Sequence, residues 1–180
     1  MSNKITILFG CLLMLASCDS TLEDTYSSQA ENISKCVEAQ QEAHPEYTAT
    51  YDKGVVRLTV FEGQGEELDG KGSVSVYYAG YLFSGNMPGN SSKPFATNIS
   101  DLAAQAGFDM TDESAYEPVR LNLEKDGLLE GLKIGLKGVK AGEDCYIFFC
   151  GDKAYGKKQT GTIPANSALV YHVQVVGLGD

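Results

Sequence analysis

Residues 118–138 read PVRLNLEKDGLLEGLKIGLKG. The first six alternate, so Val119, Leu121 and Leu123 fall on one face of a short strand. The period then changes. Leu128, Leu129, Leu132 and Leu136 recur at helical spacing, bracketed by Gly127 and Gly138, which predicts a short helix with one apolar face. Such a helix is stable only against a larger apolar surface. The rest of the chain must supply the sheet that wraps it.

The strands lie on either side of this segment. After it come Asp144–Cys150 (DCYIFFC) and Ala168–Val176 (ALVYHVQVV). They are joined by a loop at 151–166 that carries Ala154-Tyr155-Gly156 and Ile163-Pro164. Before it come Val55–Phe61 (VVRLTVF), stopped by Gly63 and Gly65, and Ser73–Phe83 (SVSVYYAGYLF). Val74, Val76 and Tyr78 share a face of the latter, and Gly80 interrupts it as a bulge would. A polar loop leads to Pro94–Asn98 (PFATN), and Asp101–Ala106 forms a short helix closed by Gly107. Five strands around one late short helix make an α+β arrangement.

Composition limits the function. The chain has 180 residues, 43% hydrophobic and 21% charged, the balance of a globular protein. Fourteen Lys and Arg against 24 Asp and Glu give a net charge of −10. That excludes nucleic-acid binding through a basic face and electrostatic docking on anionic lipid. There is no GxGxxG motif and no P-loop. His44 and His172 are the only histidines, and neither stands with a Ser or Cys in a nucleophile pattern. No Cys/His spacing suggests a metal. Cys36, Cys145 and Cys150 read as small buried hydrophobes. No metal or cofactor is implied. A function that needs no strong acid, nucleophile or metal fits best.

The N-terminus reads as an address. Lys4 precedes a 12-residue apolar run, Ile5–Ala16, ending in Leu15-Ala16-Ser17-Cys18. The run is shorter than the ~20 residues that span a bilayer and fits a signal peptide. Leu15–Cys18 resembles the bacterial lipobox, in which cleavage leaves a lipid-bearing cysteine. Residues 19–29 are polar, as a flexible tether would be. Ser28 and Glu31 form a capping box, and Ala30, Ile33, Val37 and Gln40 follow at helical spacing up to Pro45. The expected organisation is a signal peptide at 1–17, a lipidated tether and N-terminal helix at 18–50, and the domain at 51–180. The protein is then exported and held on a bacterial cell membrane through Cys18.

The order of motifs resembles the FKBP-type peptidyl-prolyl cis–trans isomerases. The matching pieces are Val74–Gly80 (VSVYYAG), Phe95–Asn98 (FATN), Pro118–Leu123 and Gly127–Leu132 (GLLEGL). The pair Gly138 and Gly142 follows, then Ala154-Tyr155-Gly156, Ile163-Pro164 and Leu169-Val170-Tyr171. Each alone is a weak signal; together, in order over 72–178, they are specific. The resemblance implies an FKBP-like antiparallel sheet of five to six strands curled around one short helix, with an N-terminal helical tether. It implies isomerisation of Xaa-Pro bonds in polypeptide clients, without a cofactor. The pocket would take Tyr78, Phe95, Leu129 (through its backbone N–H), Tyr155 and Tyr171 as catalytic residues. Val119, Leu128, Leu132 and Ile163 would contact the substrate.

The sequence also departs from that pattern. Leu132 stands where many members have tryptophan, and Val119 where the family usually has an aromatic. Ala96 replaces an aspartate that accepts a hydrogen bond inside the pocket; Asn98 and Asp101 are the nearby polar residues available to compensate. The stretch between Phe95 and Pro118 is longer than usual and suits a lid or an extra contact surface. These departures imply weak or substrate-limited activity. They also keep open a second reading, a catalytically weak FKBP-like binding module or chaperone that grips proline-containing segments. A purely structural surface lipoprotein is the third.

Overall fold

The computed structural model describes residues 16–179, with side chains from Thr21 onward. The expected signal peptide lies outside the described residues through residue 15, as does the Cys18 side chain that would carry lipid. The elements run α1 (Ala16–Ala43), β1 (Thr48–Asp52), β2 (Val55–Phe61), β3 (Ser73–Leu82), β4 (Ala96–Thr97) and α2 (Ser100–Ala106). A 3-10 turn at Glu113–Tyr116 follows, then β5 (Val119–Asn122), α3 (Glu130–Leu136), β6 (Asp144–Phe149), a second 3-10 turn (Gly151–Lys153) and β7 (Leu169–Gly179).

The strands form one antiparallel sheet in the order β1-β2-β6-β7-β3-β4, with β5 beside β4 on the same edge of β3. It has seven strands, not five to six. Beyond the five strands read from the sequence stand the two-residue β4 and β1, the latter joined to β2 by a tight turn in which Lys53 and Gly54 both have positive φ (47° and 81°). Two successive positive φ values are the signature of a type I′ hairpin turn. β1 escaped the sequence reading because it is exposed at four of five positions and carries no apolar alternation.

The sheet is buried on both faces. On its front, Val55, Val74, Val76, Ile147, Phe149, Leu169, Tyr171 and Val173 pack with Leu136 of α3. On its rear, Val56, Leu58, Ala79, Phe148 and Val170 pack with Ile33 and Val37 of α1. Full burial of side chains of this size contributes about 1.5–3 kcal/mol each. The N-terminal helix is thus a layer of the fold. It also begins earlier than expected, so that residues 19–27 are helical rather than a flexible stretch. Ser28 and Glu31 lie inside it, not at a cap; Glu31 instead pairs with Lys35 at 2.6 Å, one turn on. Its buried stripe runs through Ile33, Cys36 and Val37, while Ala30 is exposed.

α3 is shorter than its leucine spacing suggested. Leu128 and Leu129 precede it, with Leu129 as N-cap. Its sheet-facing residues are Gly131 and Gly135, where a Cβ would overlap Phe149 and Ile147 respectively. The absent side chains let the helix axis sit low on β6. Arg57 of β2 holds its far end: Nη1 donates to the carbonyls of Gly135 (3.1 Å) and Lys137 (2.8 Å), and Nε lies 3.3 Å from buried Glu143. Glu143 also accepts from Thr59 Oγ1 and from the Lys140 amide.

Gly80 is not at a bulge. The register shift between β3 and β7 falls at Ser75/Val76. Gly80 is small because a Cβ there would lie 2.8 Å from Phe95 Cζ and 2.9 Å from Tyr171 Cε1. The start of the 99–117 segment packs behind the sheet. Ile99 and Leu102 pack on the rear cluster, Ala103 is fully buried, and Gly107 closes α2 with a φ of 83° as expected.

Candidate active site

Between α3, the front of the sheet and the 151–166 loop lies a cavity of about 580 Å³. That is within the range of small-ligand sites. The sheet supplies Val76 and Tyr78 from β3, Val119 and Leu121 from β5, and Tyr171 and Val173 from β7. Leu128 comes from the turn before α3 and Leu132 from α3 itself, Phe95 from just before β4 and Ala96 from β4, and Tyr155 and Thr160–Ile163 from the loop.

Tyr171 is the centre of the aromatic wall. Phe95 meets it edge-on at 5.7 Å between ring centroids, Tyr78 lies tilted at 6.2 Å, and Phe149 stacks behind it at 5.9 Å. These are the offset and edge-to-face arrangements aromatic rings prefer. They are compatible only with glycine at position 80, which yields its side-chain space to Phe95 and Tyr171. Burial pushes the Tyr171 phenol well up, and the neighbouring Tyr155 and Tyr78 phenols push it further. Burial likewise raises Tyr78, with Tyr155 adding to it. The polar groups of this wall are therefore neutral hydroxyls at physiological pH.

The entrance to Phe95 is fixed by backbone pairing and by one buried amide. The Phe95 amide donates to the Gly80 carbonyl at 2.8 Å. Asn98 accepts from the Tyr78 amide (2.7 Å) and donates to the carbonyls of Val76 (3.0 Å) and Glu117 (2.9 Å). Its side chain is fully occupied in pinning the segment to β3, so it does not stand in for the aspartate that Ala96 replaces. Asp101 is exposed and does not line the cavity either.

Of the nine sequence-predicted pocket residues, eight line this cavity: Tyr78, Phe95, Tyr155, Tyr171, Val119, Leu128, Leu132 and Ile163. Leu129 does not. Its side chain packs on the front core, and its place is the N-cap of α3, where no side chain caps the helix. No residue of 99–117 lines the cavity. The sequence reading missed Thr160, whose Oγ1 is buried without a hydrogen-bond partner among the described residues. The alternation of β3 and β7 would have found Val76 and Val173; nothing in the local pattern marks Thr160.

The remaining polar candidates lie elsewhere. His172 is on the rear face, 2.7 Å from Asp144 and stacked on Tyr146 at 4.5 Å. Cys36, Cys145 and Cys150 are free and buried, and burial raises the Cys150 thiol to about 11. Among the described residues no group of three His, Cys, Asp or Glu is placed to hold a metal ion.

Comparison with known proteins agrees with this geometry. Residues 64–176 match the family model of the FKBP-type peptidyl-prolyl cis-trans isomerases. "FK506-binding protein 1" of Aspergillus oryzae is 26% identical over 123 residues, covering 68% of this chain and 97% of that protein. "Peptidyl-prolyl cis-trans isomerase Mip" of Chlamydia muridarum is 28% identical over 155 residues, covering 81% of this chain; the chain spans only 54% of that relative. Among solved structures, the N-terminal domain of FKBP42 from Arabidopsis thaliana superimposes with a TM-score of 0.57 at 23% identity, covering 74% of this chain and 93% of that one. With the matched model spanning more than half its length and its motifs folded around one apolar cavity, the chain belongs to the FKBP-type peptidyl-prolyl cis–trans isomerase family.

Proposed function

We propose that this cavity takes the proline of a polypeptide client and turns the preceding amide between cis and trans, on chains exported from the cytoplasm. The observation that carries the reading is chemical. The wall is aliphatic and aromatic, and no Asp, Glu, Lys, Arg or His is among its lining residues. The barrier to Xaa-Pro rotation, about 18–20 kcal/mol, comes from amide conjugation. Rotation breaks that conjugation and lowers the polarity across C–N. A dry cavity shaped for the twisted amide therefore favours it over the planar one. Phe95 and Tyr171 flank the proline ring, with Tyr78 beside them. Leu128, Leu132, Val119 and Ile163 exclude water. The Tyr155 hydroxyl and the Leu129 N–H hold the substrate carbonyls, since the first N–H groups of a helix have no partner within it. No proton changes owner.

The same reading makes the protein a folding assistant at a bacterial membrane. The chain would be cleaved before Cys18 and Cys18 acylated, so that the lipid joins the domain through α1, whose later turns pack on the sheet. More than one acyl chain suffices for stable anchoring, at about 0.8 kcal/mol per buried CH₂. Among the described residues no helix is long and apolar enough to cross a membrane. A Cys18→Ala change should release the protein from the membrane fraction and abolish incorporation of labelled fatty acid.

The second reading, a binding module with little turnover, draws on Ala96, Val119 and Leu132, all of which line the cavity. Of the 99–117 segment, Ile99 and Leu102 pack behind the sheet, while Ala106 and Phe108 line a second cavity that shares Phe95 and Thr162 with the first. Refolding of a client limited by proline isomerisation separates the two. Catalysis accelerates the slow phase, and Phe95→Ala removes the acceleration. Binding alone leaves that phase unchanged or slows it.

A further inference from the structure

The pocket loop is not held by the isomerase fold alone. It leaves the sheet at Gly151 and returns at Asn166, and these two ends touch: a Cβ on Gly151 would lie 2.6 Å from the Asn166 carbonyl carbon. Within the loop, the Gly156 amide donates to the Gly151 carbonyl (2.8 Å) and the Asn166 amide to the Gly156 carbonyl (2.6 Å). Thr160 and Ile163 exchange both backbone hydrogen bonds. The loop is thus a closed, rigid unit that presents Tyr155 and Thr160–Ile163 to the cavity. Its orientation depends on what holds the neck.

One side chain of α1 spans that neck. Gln29 Oε1 accepts from the Gly151 amide at 2.9 Å, and Gln29 Nε2 donates to the Asn166 carbonyl at 2.6 Å. Three residues earlier on the helix, the Tyr26 hydroxyl donates to Asn166 Oδ1 at 2.7 Å. Asn166 itself sits at a φ of 59°, a conformation few residues other than glycine adopt. Its side chain and carbonyl are both fixed by α1. On the pocket side, Lys153 pairs with Glu130 of α3 at 2.9 Å, tying the same loop to the helix that lines the cavity. The loop therefore hangs between the two helices on opposite faces of the sheet.

We infer that Gln29 is a positioning residue of the isomerase site, bridging both ends of the pocket loop so that α1 sets where Tyr155 and Ile163 stand. This rests on the proposed pocket. An amide is suited to the task, since it offers one acceptor and one donor in a fixed plane to one free N–H and one free carbonyl. Losing the bridge frees the neck without touching the cavity wall. Displacements of an ångström in a positioned group cost up to about a hundredfold in rate.

The test compares Gln29→Ala and the near-isosteric Gln29→Met with wild type, all as the full chain, alongside Phe95→Ala. Gln29→Met keeps the packing volume and removes both hydrogen bonds. The expected result is a roughly tenfold fall in kcat/KM on Xaa-Pro peptides for both Gln29 variants, carried by kcat. Amide exchange should quicken at Gly156 and Asn166 and stay unchanged in β2 and β6. Gln29→Glu keeps the acceptor for Gly151 but sets a carboxylate oxygen against the Asn166 carbonyl, so it should fall at least as far as Gln29→Met. A merely structural role would lower the melting temperature but leave kcat per folded molecule and the loop exchange as they are. That result overturns the inference, as does unchanged loop exchange by itself, which needs no turnover to read. If Phe95→Ala abolishes activity while Gln29→Met keeps it, the positioning role alone fails. If Phe95→Ala is without effect, the pocket reading fails, and loop exchange alone decides the role of Gln29.

Discussion

Gly131 of α3 rests directly on the ring of Phe149 in β6, so closely that any Cβ at position 131 would overlap Cγ and both Cδ atoms of that ring. Phe149 is wholly buried and in turn stacks on Tyr171 at the cavity wall. The depth at which the helix sits, and so the height of the cavity beneath Leu132, is set by a missing methyl group.

Gly131→Ala should therefore reverse the usual sign of a glycine-to-alanine change in a helix. Alanine is intrinsically favoured there by about 1 kcal/mol. Overpacking a core costs about 1–3 kcal/mol, and Phe149 has no room to withdraw. Overlap with three ring atoms puts the cost at the upper end of that range, so thermal unfolding should show a net loss of about 2 kcal/mol. A melting temperature equal to or above wild type would contradict the packing described.

Gly80→Ala tests the aromatic wall. The added methyl meets Phe95 and Tyr171, the two rings of the cavity wall, of which Tyr171 also belongs to the front core. Peptide isomerisation should fall by about tenfold or more, since both rings move off their places, while stability drops by no more than about 2 kcal/mol. Equal activity with a folded protein would mean these two rings do not hold the substrate.

Arg57→Met tests the support beneath α3. It leaves Glu143 buried (3% exposed) with its cation gone. Breaking a buried ion pair on one side costs about 3–5 kcal/mol, whereas replacing both partners by apolar groups is often near neutral. The double variant Arg57→Met with Glu143→Leu should recover most of the loss in a denaturant titration. Additive losses would show that the pair is not coupled.

The chemistry was more legible in the sequence than the scaffold that supports it. Tyr78, Phe95, Tyr155 and Tyr171 stand in motifs whose order survives in the chain, and all four reach the cavity. The packing rules behind them were not visible. Gly131 and Gly135 drew no notice between the leucines, because a missing side chain leaves no pattern in a hydropathy reading. Gly80 read as a bulge for the same reason. β1 has no apolar alternation, and its only mark is the Lys53-Gly54 turn. Asn98 could be singled out as polar and near the pocket, but only the fold shows its side chain spent on Tyr78, Val76 and Glu117. The sequence left open whether the helix over 28–43 is a spacer or packs on the domain, because its hydrogen bonds go to residues more than a hundred positions away, Cys150, Gly151 and Asn166.

The pH profile follows from the phenols. Tyr171 and Tyr78 are both held above their usual value of 10.0 by burial, so the cavity keeps its protonation state across the neutral range. Isomerisation should be flat from about pH 6 to about pH 9. These raised groups contribute stability that is complete below pH 10 and lost as pH rises through their folded values. Asp144 works in the opposite direction. Burial opposes ionisation, but the hydrogen bond from His172, the charge of that ring and Gln174 together hold the carboxyl below 3.8. Its contribution is present above about pH 4 and lost as pH falls through the lowered value. Asp144→Asn should flatten the acid limb of stability and leave the activity profile alone. A bell-shaped activity profile centred near neutrality would instead require a titrating acid or base in the site.

The most direct measurement is the cis-to-trans rate of short Xaa-Pro peptides with the protein present, compared with Phe95→Ala and Tyr155→Phe variants shown to be folded. Spontaneous exchange takes about 10–100 s, so acceleration is read against a slow background. The account predicts acceleration by the native chain, a large loss in Phe95→Ala and a smaller one in Tyr155→Phe. Native-like acceleration by Phe95→Ala would place catalysis outside this cavity and contradict the account.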